Sequence, residues 1–168
     1  MTVTMESATT TSRTASFSLA LPHSLDNRIY VRLSLKSKAL VVFLTTAAPE
    51  EADQATPLGS FVFALPDRYN PSQPLSTALC TVEPTIEFTT RMAKLLVRKM
   101  GNRRPVYVGN SISFQSTGLG GVVEEEMEGF GAVMNGIMGV LKGWEEEEEE
   151  EGGQNGIREG VEGLRVSS

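Results

Sequence analysis

Reactive side chains are scarce in this chain, and their scarcity excludes most chemistry before any fold is considered. Cys80 is the only cysteine, His23 the only histidine, and aspartate occurs only as Asp26, Asp53 and Asp67. One thiol allows no internal disulfide framework and no multi-cysteine zinc site. One imidazole cannot supply the His pairs of zinc hydrolases, and no pair among the three aspartates has the spacing of an acid/base or metal constellation. Cys80 lies in a proline-rich stretch without a basic neighbour to lower its pKa, so it reads as an inert thiol. His23 follows Pro22 at a strand end, where a turn role fits. Gly118, Gly120 and Gly121 imitate a phosphate loop, but no Lys-Ser/Thr follows. Glu124, Glu125, Glu126 and Glu128 come instead, and they would repel phosphate. The sequence therefore predicts no catalytic residue, no cofactor and no metal.

Charge is the remaining resource, and its placement matters more than its sum. The 168 residues carry a formal net charge of −6. Residues 1–144 are nearly neutral, with 13 Lys and Arg against 12 Asp and Glu, whereas residues 145–168 hold two Arg against nine Glu. Seven of those glutamates run unbroken from Glu145 to Glu151. A like-charge block followed by Gly-rich sequence repels itself and buries little, so residues 145–168 are predicted to be a disordered acidic tail. Within the neutral body, Arg91, Lys94, Arg98, Lys99, Arg103 and Arg104 form an acid-free cationic cluster. Such a cluster is either a solvated helix face or a docking surface for an acidic partner or a nucleic-acid backbone.

These residues must be positioned by elements that the patterning reveals. Residues 1–14, rich in Ser and Thr, read as a disordered leader without the features of a secretory signal. Phe17, Leu19 and Leu21 alternate with small residues, as do Ile29, Val31, Leu33 and Leu35 with polar ones, giving two half-buried strands. Ala39 to Leu44 is apolar throughout, as expected of a central strand, and the Lys-Ser-Lys connection before it implies an antiparallel hairpin. Leu58 to Leu65 supplies a fourth strand. Residues 66–84 hold four prolines and are predicted to be a connection rather than an element. A helix is predicted at 85–100, with Phe88, Met92, Leu95, Leu96 and Met100 inward, Arg91, Lys94 and Arg98 outward, and Gly101 as its cap. Val106 to Val108 and Ile112 to Phe114 read as one or two strands. A second helix, with Val123, Met127, Phe130, Met134, Ile137, Met138, Leu141 and Trp144 at helical spacing, is weakened by interior glycines and needs packing to hold it. No apolar run approaches the ~20 residues that cross a bilayer. The chain reads as intracellular, in the cytoplasm and also the nucleus.

The order of these elements resembles a known family. Asp67-Arg68-Tyr69-Asn70-Pro71 leading to Pro74-Leu75-Ser76-Thr77, the segment Ala93 to Lys99, Pro105-Val106-Tyr107-Val108 and Glu125-Glu126-Met127-Glu128-Gly129-Phe130 look like proteasome assembly chaperone 4. The similarity spans residues 15–144 as one domain. It implies an α+β fold, an antiparallel β-sandwich-like sheet of about six strands flanked by two α-helices, without catalysis. It also implies a heterodimer with a proteasome assembly chaperone 3-like subunit, which binds 20S proteasome α subunits to promote α-ring assembly. Arg91, Lys94 and Arg98 are then the candidate α-subunit contact, and Met134, Met138 and Leu141 the candidate contact with the chaperone partner. Neither nucleic acid nor membrane is expected as a partner. The alternative function is a small nucleic-acid-binding module using the basic face of the helix at 85–100, although no aromatic stacking platform interleaves with its cations.

Overall fold

A computed structural model describes residues 12–114 and 123–162. Most of the predicted leader, the Gly118 to Gly121 loop and the last six residues lie outside them. The chain divides into two units, Met1–Val133 and Met134–Ser168.

The first unit is built on one six-stranded sheet. Its strands are β1 (Arg13–Ala20), β2 (Arg28–Leu35), β3 (Leu40–Ala47), β4 (Ser60–Leu65), β5 (Leu75–Cys80) and β6 (Val106–Ser111), with helix α1 (Ile86–Lys99) between β5 and β6. The spatial order is β1-β2-β3-β6-β4-β5. Every pairing is antiparallel except β3 with β6, so the sheet is mixed. β6 is laid last, between two strands already made, after α1 carries the chain back along the sheet.

Two strands differ from expectation for physical reasons. β1 begins at Arg13, inside the predicted leader. β5 occupies residues read as a connection. It is an edge strand, five of whose six residues are exposed, and its pairing with β4 shifts register between Phe61 and Val62. A bulge on an exposed edge erases the two-residue period by which strands are recognised. Residues 106–111 form a single strand, and Ile112 to Phe114 continue beyond it without pairing.

Register sorts the side chains cleanly. Ile29, Val31 and Leu33 of β2, Leu40, Val42 and Leu44 of β3, Val106 and Val108 of β6, and Val62 and Ala64 of β4 share one face and are buried. Against this face lies α1 with Phe88, Thr89, Met92, Ala93, Leu96 and Val97 buried. Ala93 and Val97 replace the predicted Leu95 and Met100, which are half-buried. The helix closes as anticipated at Gly101: the Gly101 N–H donates to Arg98 O and the Asn102 N–H to Val97 O, at 3.0 Å each. The first turns of the last helix, α2 (Val123–Glu162), reach the same layer, where Phe130 meets Phe88 edge to face at 5.1 Å between centroids.

A buried polar network ties α1 to the sheet. Ser60 Oγ lies 2.8 Å from Thr85 Oγ1 and accepts the Val82 N–H at 3.0 Å. Thr89 donates to Thr85 O at 2.6 Å, and Asn110 Nδ2 donates to Thr89 Oγ1 at 3.2 Å. The Ile112 N–H closes it on Asn110 Oδ1 at 2.9 Å. Gly59 enters this region with φ +68°, and a Cβ there would stand 2.0 Å from the Asn110 carbonyl oxygen. Gly59→Ala should therefore cost about 2–4 kcal/mol, combining left-handed strain with a backbone clash. A urea titration with an unshifted midpoint would disprove it.

The second unit continues α2. Met134, Ile137 and Leu141 are buried, at helical spacing. The helix runs through the glutamate block predicted to be disordered and ends at Glu162. Glutamate has good helix propensity, and Lys142 Nζ pairs with Glu146 Oε1 one turn on, at 3.7 Å.

Candidate docking surfaces

The sheet face opposite the helices is the first candidate. No helix of residues 12–133 covers it, yet it is strongly apolar. Phe43 of β3, Phe61 and Phe63 of β4 and Tyr107 of β6 project there, as register requires. Phe43 and Phe61 stack with centroids 6.2 Å apart, Phe61 and Tyr107 at 6.0 Å, and Tyr107 meets Phe63 at 4.7 Å. The four rings form a continuous band across three adjacent strands. Gly109, the β6 residue in register between Phe43 and Phe61, leaves room for them to meet: a Cβ there would stand 2.7 Å from Phe43 Cδ1 and 2.8 Å from Leu58 Cδ1. Phe43 and Leu58 nevertheless remain 41% and 46% exposed. This contiguous aromatic patch, rimmed by Arg32, Thr45 and Ser111, has the character of an association surface.

The second candidate is electrostatic, and the topology assembles it. The β3–β6 pairing and the hairpins bring the start of β1, the β2–β3 turn, the β4–β5 turn and the C-terminal end of α1 to one end of the sheet. They carry Arg13, then Lys36 and Lys38, then Arg68, then Arg98, Lys99, Arg103 and Arg104. Asp67 is the one carboxylate that the described residues of the first unit place there. The other end receives Asp26, the acidic segment after β3, Glu83 and Glu87 at the start of α1, and Glu124 to Glu128 at the start of α2. Arg28 is the one Lys or Arg in that company, and it donates from Nε to Ser18 Oγ. The first unit is therefore polarised along its strands.

The predicted site residues distribute over these features. Arg91, Lys94 and Arg98 are exposed on α1. Arg91 is also engaged: its guanidinium carbon lies 4.7 Å from the centroid of Phe130, a cation–π contact. Met134 and Leu141 are buried and Met138 is half-buried, so the apolar row they form offers a partner little surface. The aromatic sheet face was missed from sequence, although the alternate residues Phe61 and Phe63 were a signal. Of the reactive residues, His23 Nε2 lies 3.6 Å from Glu128 Oε2, both exposed, and Cys80 is exposed on β5. Among the described residues no group of three or more His, Cys, Asp or Glu could hold a metal ion. No helix among them is long and apolar enough to cross a membrane. A cleft of about 340 Å³ beside Thr56 and Pro57 has threonine and serine hydroxyls on its wall together with Phe88 and Phe114.

Comparison with known proteins adds two findings. The family model described as proteasome assembly chaperone 4 matches residues 28–112, from the start of β2 to just past β6. A chain of the crystal structure titled as a novel chaperone complex for yeast 20S proteasome assembly has a similar fold. Its TM-score is 0.52 at 14% identity, covering 78% of this chain and 95% of that one. No curated protein matches the sequence.

Proposed function

We propose that this chain, which belongs to the proteasome assembly chaperone 4 family, works as one half of a chaperone heterodimer that captures 20S proteasome α subunits while the α-ring forms. A role in proteasome assembly follows from the family. The pairing and the capture are read from the surfaces. The uncovered aromatic band carries the reading, because a domain whose sheet is covered on one face and aromatic on the other is completed by a second sheet. A proteasome assembly chaperone 3-like subunit with a matching open face is the natural counterpart. Its seat is then Phe43, Phe61, Phe63 and Tyr107 rather than the row at Met134, Met138 and Leu141.

Capture of an α subunit must be reversible, which suits a modest, charge-steered contact. Arg91, Lys94 and Arg98 on the exposed side of α1 are suited to it, since the aromatic band lies on the opposite face of the sheet. Co-expression with a proteasome assembly chaperone 3-like subunit, followed by incubation with recombinant α subunits, tests the reading. A binary complex that retains an α subunit supports it. A chain that stays monomeric beside that subunit and retains no α subunit overturns it. Reversing Arg91, Lys94 and Arg98 to Glu should weaken capture about 10-fold or more, as removal of rim charges slows association, with the melt lowered only by loss of the Arg91–Phe130 contact. Equal capture by this variant in a pull-down removes the three residues from the contact.

A further inference from the structure

The cationic end of the sheet carries a feature that charge alone does not explain. Tyr69, in the β4–β5 turn, is 98% exposed. Its position is nonetheless held: the Tyr69 N–H donates to Asp67 Oδ1 at 2.8 Å, and Ser72 Oγ donates to Asn70 Oδ1 at 2.7 Å. The turn is also fastened to the end of α1, where Asn102 Nδ2 donates to Pro71 O at 3.1 Å. Asn102 itself has φ +53° and is placed by the bonds that terminate the helix. This turn, with its exposed aromatic ring, shares one end of the sheet with Arg68, Arg98, Lys99 and Arg103, all exposed. None of these four has a carboxylate partner among the described ion pairs.

We propose that this end of the sheet is a docking site for an acidic protein surface, with Tyr69 as its aromatic anchor and Arg68, Arg98, Lys99 and Arg103 as its cationic rim. The inference rests on the chaperone reading and deepens it, because it assigns chemistry to the α-subunit contact and extends it from α1 onto the β4–β5 turn. An exposed tyrosine on a tethered turn, at an end of the sheet rich in cations, has the composition of an interface centre, where Tyr and Arg contribute most per residue. The opposite end of the sheet makes the approach directional: an acidic surface is attracted to one end and repelled by the other. A protein surface is favoured over nucleic acid. One ring is no stacking platform, and the carboxylates of the far end oppose a long polyanion.

The test uses the full chain in complex with its chaperone partner, each recombinant 20S α subunit in turn as probe, and a 20-nucleotide single-stranded DNA as a second probe. Arg68→Glu/Tyr69→Ala/Arg103→Glu is compared with Tyr69→Ala and Tyr69→Phe, with a thermal melt of each. The expected result is an α subunit whose affinity falls at least about 30-fold in the triple variant and about 10-fold in Tyr69→Ala, stays within about twofold in Tyr69→Phe, and weakens with salt. Wild-type binding that survives both Tyr69→Ala and the triple variant overturns the inference and leaves the chaperone reading standing. Absence of binding to every α subunit overturns both. DNA bound as tightly as the best α subunit overturns the protein-specific assignment.

Discussion

Phe61→Asp is expected to weaken pairing with the chaperone partner about 100-fold or more while leaving the chain folded, because truncating a central interface aromatic and burying an unpaired charge add. Phe61 lies in the middle of the aromatic band, stacked between Phe43 and Tyr107, on the face that takes no part in the core beneath α1. The measurement is the elution volume of the co-expressed pair together with far-ultraviolet dichroism of the variant alone. Loss of the pair with a native spectrum and melt is the expected outcome. Retention of the pair at micromolar concentration refutes the sheet-face interface, and a denatured spectrum would place Phe61 in the core instead. Met138→Asp, on α2, provides the contrast. It should leave the pair intact if the sheet face is the seat, and disrupt it if the apolar row at Met134, Met138 and Leu141 is.

Asn110→Ala is expected to be the most destabilising of the polar substitutions, at about 2–4 kcal/mol, since it opens a small void and strands a buried N–H. Asn110 is 1% exposed, and its side chain joins β6 to α1 through Thr89 and caps the Ile112 N–H. Chemical denaturation of wild type and variant reads the difference directly, and a midpoint shift worth under about 0.5 kcal/mol, the range of a neutral surface change, would show the network to be dispensable. Asn110→Asp sharpens the test. Its carboxylate can still accept from Ile112, but only the protonated acid can donate toward Thr89 Oγ1. Burial and the lost donation both raise that carboxyl's pKa above its unfolded value. The charged form is then the penalised one, so the deficit of the Asp variant should shrink as pH falls and grow as pH rises.

The parts of this molecule that sequence made legible are those with a regular period and a single environment. Ile29 to Leu35 alternates because one side of β2 is core, and the α1 face with Phe88, Met92 and Leu96 repeats because one side of the helix is core. Gly101 and the cations before it announced the end of α1. β5 was illegible because it lies at an edge, mostly exposed and bulged against β4, so no face of it is selected for burial. The aromatic band was illegible as a surface for a different reason. Its members come from β3, β4 and β6, and only the insertion of β6 between the other two makes neighbours of Phe43, Tyr107 and Phe61. The polarised charge follows the same logic. Arg13, Lys36, Arg68 and Arg103 are far apart in sequence, and local windows show a cationic cluster only near α1. The glutamate run carries no apolar period from which an element could be read, and α2 passes through it with Lys142 paired to Glu146.

The placement of β6 also orders events during synthesis. A nascent chain can form the β1–β2–β3 meander and the β4–β5 hairpin as soon as each emerges, but β3 and β4 then each present an unpaired edge to the surroundings. Those edges are satisfied only when Val106–Ser111 has left the ribosome and threaded between them, parallel to one and antiparallel to the other. Chains terminated before Val106 therefore expose two apolar edges at once, and ribosome stalling in the α1 coding region should yield products that aggregate, whereas stalling after α2 has emerged should not.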